Sequence, residues 1–304
     1  MMLLDPALGA LLLVLILRDV FHTLFHPAGQ GRLSHLVLSG TWRVARWIGG
    51  PTRLAELAGP LGMVAVVSIW SSGVVFGGAL VYLPYIDGFM YSTGLSPTAR
   101  ADFLDALYLS LTTTSTLGFG DVVPTEGWLR VVTPLQALVG FSLLTAAVTW
   151  VLQVYPALNR RRTLALRLTT LEQASLREAL PRADSAMPAL LLSELAGQVA
   201  QMRVDLTQYA ETYYFRSQDS RTSLPAALPY ALDLVTAGRS GMRADVRLAS
   251  GHLARALEDL TDHLGRELLR TTGDVEGVLM AYAHEHGETT ILGRGRGPVP
   301  DSRN

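Results

Sequence analysis

Near the middle of the chain, Thr116-Leu117-Gly118-Phe119-Gly120-Asp121 is a run whose main chain, more than its side chains, can do chemistry. It implies no covalent reaction; it offers carbonyl oxygens. Glycine at the alternate positions 118 and 120 admits backbone conformations closed to other residues, so successive carbonyls can turn towards one axis. Leu117 and Phe119 then point outward as wedges, and the Thr116 hydroxyl adds one more oxygen. Rings of such oxygens, repeated by several copies, can replace the water around a dehydrated cation.

The elements that must position this run can be read from what surrounds it. Asp102 to Ser115 has the signature of a short helix, with Asp102 as N-cap or first-turn acid and Phe103, Leu104, Leu107 and Leu111 at helical spacing. Such a helix is too short to cross a membrane, so the chain after it must return as extended backbone at membrane depth. Bare backbone is tolerated there only where protein surrounds it or it lines an aqueous path. The carboxyl end of the helix carries partial negative charge, which favours a cation nearby. Gly-Phe-Gly-Asp alone would read as an ordinary surface turn; its context is what argues otherwise.

That context is apolar. Residues 57–86 and 131–159 carry no charge, and 49% of the whole chain is hydrophobic. A spanning helix needs roughly 20 such residues, so both runs are long enough. Residues 7–17 are apolar too, and a third spanning helix is expected over about 3–25. A cleaved leader fits less well, because a basic start and a small-residue cleavage site are missing. Arg18 and Asp19 are expected near one interface, partly neutralising each other. Arg32, Arg43, Arg46 and Arg53 follow the first run and Arg160, Arg161, Arg162 and Arg167 the third, whereas 87–127 is acidic with only Arg100. The arginine bias predicts 27–56 and 160 onward inside, with 87–127 and the amino terminus outside.

Lysine and cysteine are both absent, which removes disulfide and thiolate chemistry. The net charge of −1 and the scattered arginines point to no nucleic-acid partner. Residues 33–49, with Trp42 and Trp47, suggest a helix lying on the inner membrane surface. Arg43 and Arg46 alone are too few for a voltage sensor. Beyond Arg160, helices are expected near 160–180, 189–217, 226–237, 241–270 and 274–285, followed by a disordered tail from 287. Weaker signals are weighed against plainer explanations. His22 with His26, and His284 with His286, have metal-ligand spacing but read better as interfacial and helix-end residues. Gly293-Arg-Gly-Arg-Gly297 follows no strand and so is no dinucleotide loop. Tyr209, Tyr213, Tyr214 and Phe215 read as core rather than a ligand cage, and Arg160–Arg162 as topology signals that can also hold anionic lipid head groups.

Thr116 to Gly120, between its two spans, resembles the selectivity filter of the two-transmembrane-segment (pore-loop) potassium channel family. The resemblance covers about 57–158. It implies that Thr116, Leu117, Gly118, Phe119 and Gly120 bind permeant K⁺, that Asp121 is the acid at the outer mouth, and that Gly140 is a gating hinge in the inner helix. It further implies a homotetramer among membrane lipids, with no cofactor and no enzymatic activity. Leu117 replaces the usual Val and Phe119 the usual Tyr; without a phenol at 119, the filter is expected to be braced by packing alone. Phe141, Thr145, Val148 and Leu152 share one helical stripe and are expected to line the inner pore, with Leu152 as the constriction and Tyr155-Pro156 ending or kinking the helix.

The expected architecture is an all-α membrane protein. An N-terminal transmembrane helix (1–26) is followed by an interfacial linker helix (27–56), a pore domain (57–158), a cytoplasmic helical domain (159–286) and a tail (287–304). Two rival functions stay open: a weakly selective cation channel, and a membrane-anchored signalling receptor with a vestigial pore loop. The helical domain shows no nucleotide-fold pattern; it either stabilises the assembly or takes an unidentified ligand that supplies the gating stimulus.

Overall fold

The computed structural model describes residues 4–24, 31–49, 57–92, 102–217 and 219–288. His26, Arg53, Arg100 and the tail from 289, with its Gly293–Gly297 run, lie outside the described residues. The chain divides into two compact units, residues 1–43 with 60–153, and residues 44–59 with 154–304.

In the first unit, α1 (Leu4–Leu24), α3 (Ala58–Tyr82, prolonged by the 3₁₀ segment Leu83–Gly88) and α5 (Leu129–Gln173) are long and apolar enough to cross a membrane. Between α1 and α3 runs the amphipathic α2 (Arg32–Gly49). Lipid gives apolar helices no hydrophobic reason to associate, so close packing and polar contacts must hold them. Both are present. Gly73 and Gly77, four residues apart on α3, meet α1 so closely that a Cβ would lie 2.6 Å from Ile16 and 2.9 Å from Leu13.

The polar contact is Asp19. Its buried carboxylate accepts from the Leu33 and Ser34 amides at 2.9 and 3.1 Å, the Ser34 hydroxyl at 2.6 Å and the Trp70 indole at 3.0 Å. It thereby satisfies amides at the start of α2 that a helix leaves unpaired. This corrects the expected Arg18–Asp19 pair: Arg18 is exposed, and the carboxylate is committed elsewhere. A side chain at Gly31 would lie 2.2 Å from that carboxylate.

A short helix, α4 (Phe103–Thr114), descends between α3 and α5 in sequence. The strands β1 (Phe89–Tyr91) and β2 (Val122–Pro124) on either side of it pair antiparallel, Met90 opposite Val123. Under the ribbon lies a core of Ala79, Tyr82, Ile86, Phe89, Leu109 and Leu129. Apart from this three-residue ribbon, the regular elements among the described residues are helical.

In the second unit, the C-terminal part of α5 is joined by α6 (Met187–Gln208), α7 (Leu224–Arg239), α8 (Ala244–His263) with its π-helical extension Leu264–Leu269, and α9 (Val275–Glu285). Its core is aliphatic, with Leu164, Leu168, Leu192, Leu195, Leu253 and Leu257 buried. The expected helix over 189–217 stops at Gln208, and Tyr213, Tyr214 and Phe215 pack into the core from the turns that follow. The predicted end or kink at Tyr155-Pro156 is not an end: α5 continues to Gln173. Proline removes one backbone bond there, but Ala157, Leu158, Leu164, Ala165 and Leu168 are buried beyond it, and packing outweighs the lost bond.

Arg160 and Arg161 are engaged by protein. Arg160 grips the buried Asp205 with two bonds of 2.8 Å, and buried Arg161 donates to the Thr212 carbonyl.

Candidate ion-binding site

The site is built from α4 downward. Asp102 caps the helix, accepting from the Leu104 and Asp105 amides at 2.9 and 3.3 Å. The helix buries Ala106, Leu109, Ser110, Thr112 and Thr113. The stripe noted in the sequence lies on its open side, with Leu104 and Leu111 67% and 53% exposed.

After Thr114 the helix gives way to a backbone in which the sign of φ alternates. Thr116, Gly118 and Gly120 have φ of 58°, 48° and 76°, while Leu117 and Phe119 between them are not in the positive region. In such an alternating chain, successive peptide groups present themselves in the same sense, unlike the alternation of a strand. For a β-branched threonine, φ of 58° costs on the order of 1–3 kcal/mol and marks a constrained position. The amides of Leu117 and Gly118 point back to the Thr112 carbonyl at 3.0 and 3.3 Å, and that of Thr116 to Thr113 at 2.9 Å. Among the described residues no donor takes the carbonyls of 116–120. Thr116 to Gly120 are exposed in the single chain, and a Cβ at Gly118 or Gly120 would meet nothing.

Below and above, the segment is tied. Gly140 on α5 sits directly beneath the end of α4, where a Cβ would be 1.9 Å from the Thr114 carbonyl oxygen. Whatever else this glycine does, it seats one helix on another. At the other end, Asp121 accepts from the Tyr108 hydroxyl at 2.5 Å and the Val122 amide at 3.1 Å, and its carbonyl accepts from Ser92 at 2.8 Å. The expectation of a filter braced by packing alone is therefore corrected: α4 is hydrogen-bonded across to Asp121 through Tyr108.

On α5, Phe141, Thr145, Val148 and Leu152 are all exposed, as their common stripe requires. Leu144 and Tyr155 are exposed as well, so more than one face of this helix is uncovered. Among the described residues no cluster of His, Cys, Asp or Glu is placed to hold a metal. His286 is buried instead, T-shaped against Tyr213 and Tyr282. For a ligand of the second unit, one open groove of about 500 Å³ lies between α6 and α8, lined by Leu190, Ser193, Leu248 and His252.

Comparison with known proteins settles the class. Residues 69–155 match the family described as "Ion channel". This stretch is a pore-loop ion-channel domain. It begins within α3 and ends within α5, so it takes in α4, the 116–121 segment and the inner-helix stripe. A membrane protein of Bacillus subtilis (strain 168), YdjJ, described as uncharacterized, is 29% identical over 165 residues, covering 54% of this chain. The match spans 48% of that relative's length. No solved structure matches the chain. The matched stretch thus sits in a chain with several apolar helices, in keeping with a multi-pass membrane protein.

Proposed function

We propose that four copies of this chain close a potassium-selective pore across a cell membrane, with Thr116 to Gly120 as the filter. The observation that carries this reading is the alternation of φ at 116, 118 and 120 together with carbonyls that no donor among the described residues claims. One chain supplies one such segment, and a ring around an ion needs several; four is the number used by potassium channels. The apolar side chains left open beside the segment, Leu117 and Phe119 at 61% and 67% exposed, are what neighbouring copies would cover. The Thr116 hydroxyl and the carbonyls from 116 to 120 supply the full stack of oxygen layers that replaces the hydration of K⁺. The permeant ion is the sole ligand this requires; no cofactor and no nucleic acid enters.

Asp121, steadied by Tyr108, would stand at the outer mouth. The arginine bias of the sequence puts 87–127 outside and the C-terminal helices in the cytoplasm, with membrane lipids around α1, α3 and α5. Phe141, Thr145, Val148 and Leu152 would line the cavity below the filter, and a ring of Leu152 side chains would exclude water when the pore is shut.

Purified protein in planar bilayers under K⁺/Na⁺ bi-ionic conditions tests the reading. The expected result is a reversal potential displaced far towards K⁺ selectivity. A value near zero would instead identify a weakly selective cation channel. Assembled protein that passes no ions under any condition would leave the signalling-receptor alternative.

A further inference from the structure

The ion-channel domain holds a buried polar group that neither the filter nor the expected pore lining uses. Gln136 lies on α5 one turn before Gly140 and is 8% exposed. Its amide nitrogen donates to the Ser110 hydroxyl at 2.7 Å and the Thr114 hydroxyl at 2.9 Å, both on α4. Ser110, fully buried, passes its own hydrogen to the Val75 carbonyl of α3 at 2.7 Å. One side chain therefore links three helices through two hydroxyls. Space for it is made by Gly78 on α3, where a Cβ would come within 2.2 Å of the Gln136 nitrogen.

A glutamine inside an apolar span is costly unless satisfied, and an aliphatic residue would have packed there without that cost. Its place explains what it does. Thr114 is the last residue of α4, two residues before the positive-φ Thr116. Thr112, in the same turn, takes the amides of Leu117 and Gly118. Any shift of α5 at Gln136 is thus passed to the turn that holds the first filter residues. The Gln136 carbonyl oxygen, buried and without a partner among the described residues, leaves one arm of this clasp uncommitted.

We propose that Gln136 is a positioning residue for the filter, coupling the inner helix to the carbonyl-bearing segment through Ser110 and Thr114. This rests on the potassium-pore reading above. The test compares wild type, Gln136→Leu, Ser110→Ala and Thr114→Val, each purified as the full chain, in the same bilayers. Assembly is checked by size exclusion, and K⁺/Na⁺ permeability ratio and open dwell time are measured. A wild-type protein that is not K⁺-selective sinks the pore reading itself.

Given a selective wild type, Gln136→Leu is expected to assemble normally and to change the permeability ratio or the dwell time by about tenfold, the scale of one or two lost buried hydrogen bonds. Ser110→Ala and Thr114→Val should each give a smaller change of the same sign. Adding Ser110→Ala to Gln136→Leu should do little further harm, because the two act through one contact. Variants that assemble and conduct like wild type overturn the inference. So does a Gln136→Leu that fails to assemble while the two hydroxyl variants conduct unchanged, since the clasp would then serve folding alone.

Discussion

The two units solve opposite solvent problems with one chain. In the first, large apolar side chains face outward, among them Leu8, Leu11 and Val14 on α1 and Val131, Leu135 and Leu138 on α5. Its interior carries polar groups: the Asp19 carboxylate, the Ser110–Gln136 pair, and the threonines at the end of α4. In the second, Leu164, Leu168, Leu192, Leu195, Leu253 and Leu257 are inside, and Arg255, Glu258, Asp262 and Arg266 pair along the outside of α8 and its extension. Where lipid is the solvent, burying a leucine gains little, so glycine contacts and hydrogen bonds set the arrangement. Where water is the solvent, aliphatic burial does that work. Point changes should separate the two regimes.

The largest effect is expected in the first unit and should not be one of stability. Gly118→Ala or Gly120→Ala adds no clash among the described residues, yet each places a side chain on a left-handed backbone. Loss of K⁺-selective flux in a liposome ⁸⁶Rb⁺ uptake assay is expected, with the thermal transition of the C-terminal helices unchanged. Next comes a matched pair of leucines. Leu253→Ala, at a fully buried position, should cost about 3 kcal/mol in the unfolding of the second unit. Leu135→Ala, 54% exposed on α5, should cost less than about 0.5 kcal/mol. Equal costs in denaturant titrations of the full chain would erase the contrast between the units.

A pH effect belongs to the second unit. Burial, with Arg161 and Arg216 nearby, pushes the His286 imidazole down to about 3, against the Tyr213 and Tyr282 carbonyls that face its two nitrogens. The folded state therefore holds the neutral ring. Its contribution is complete above the unfolded value of about 6.5 and is lost as pH falls towards 3, at up to about 1.4 kcal/mol per pH unit. His286→Phe should flatten the acid limb of a stability–pH profile; an unchanged limb would place the sensitivity elsewhere. The smallest effect is expected on the outside of α8, where Arg255→Ala should move stability by no more than about 0.5 kcal/mol, since its partner Glu258 and the pair are solvent-exposed.

Much of the first unit was legible because it is written in local rules. Uncharged runs gave the spans, Asp102 gave the cap of α4, and Gly118 with Gly120 gave the positive-φ positions. Thr116 was read as an oxygen donor, but its own positive φ was not foreseen, since threonine avoids that region and only the surrounding structure forces it. Nothing in the local sequence marks Tyr108. Its bond to Asp121 joins residues 13 apart across the 116–120 segment and has no local signature. Gly73 and Gly77, spaced as a small-residue motif in an apolar helix, did carry a readable signal for the α1–α3 contact. Gly140 was read as a hinge from the resemblance to potassium channels, whereas its contact with the Thr114 carbonyl depends on how α4 meets α5. The run of α5 past Pro156 was missed for a similar reason. A proline is a local signal, and the burial that overrides it comes from helices far along the chain.

Asp19 has a consequence for the order in which this protein can be made. The carboxylate sits in α1, which leaves the ribosome before its ligands, and these follow 14, 15 and 51 residues later. At roughly 5–20 residues per second, α1 waits about a second or more for the start of α2, and several seconds for Trp70. During that interval an unpaired acid in an apolar helix costs about 2.5–3.5 kcal/mol if placed at the bilayer centre. α1 therefore lacks these amide donors until Leu33 and Ser34 have been made. It gains its full set of donors only once α3 has arrived. Completion of the Asp19 hydrogen-bond set is in this way timed by synthesis of the helix in which the ion-channel match begins.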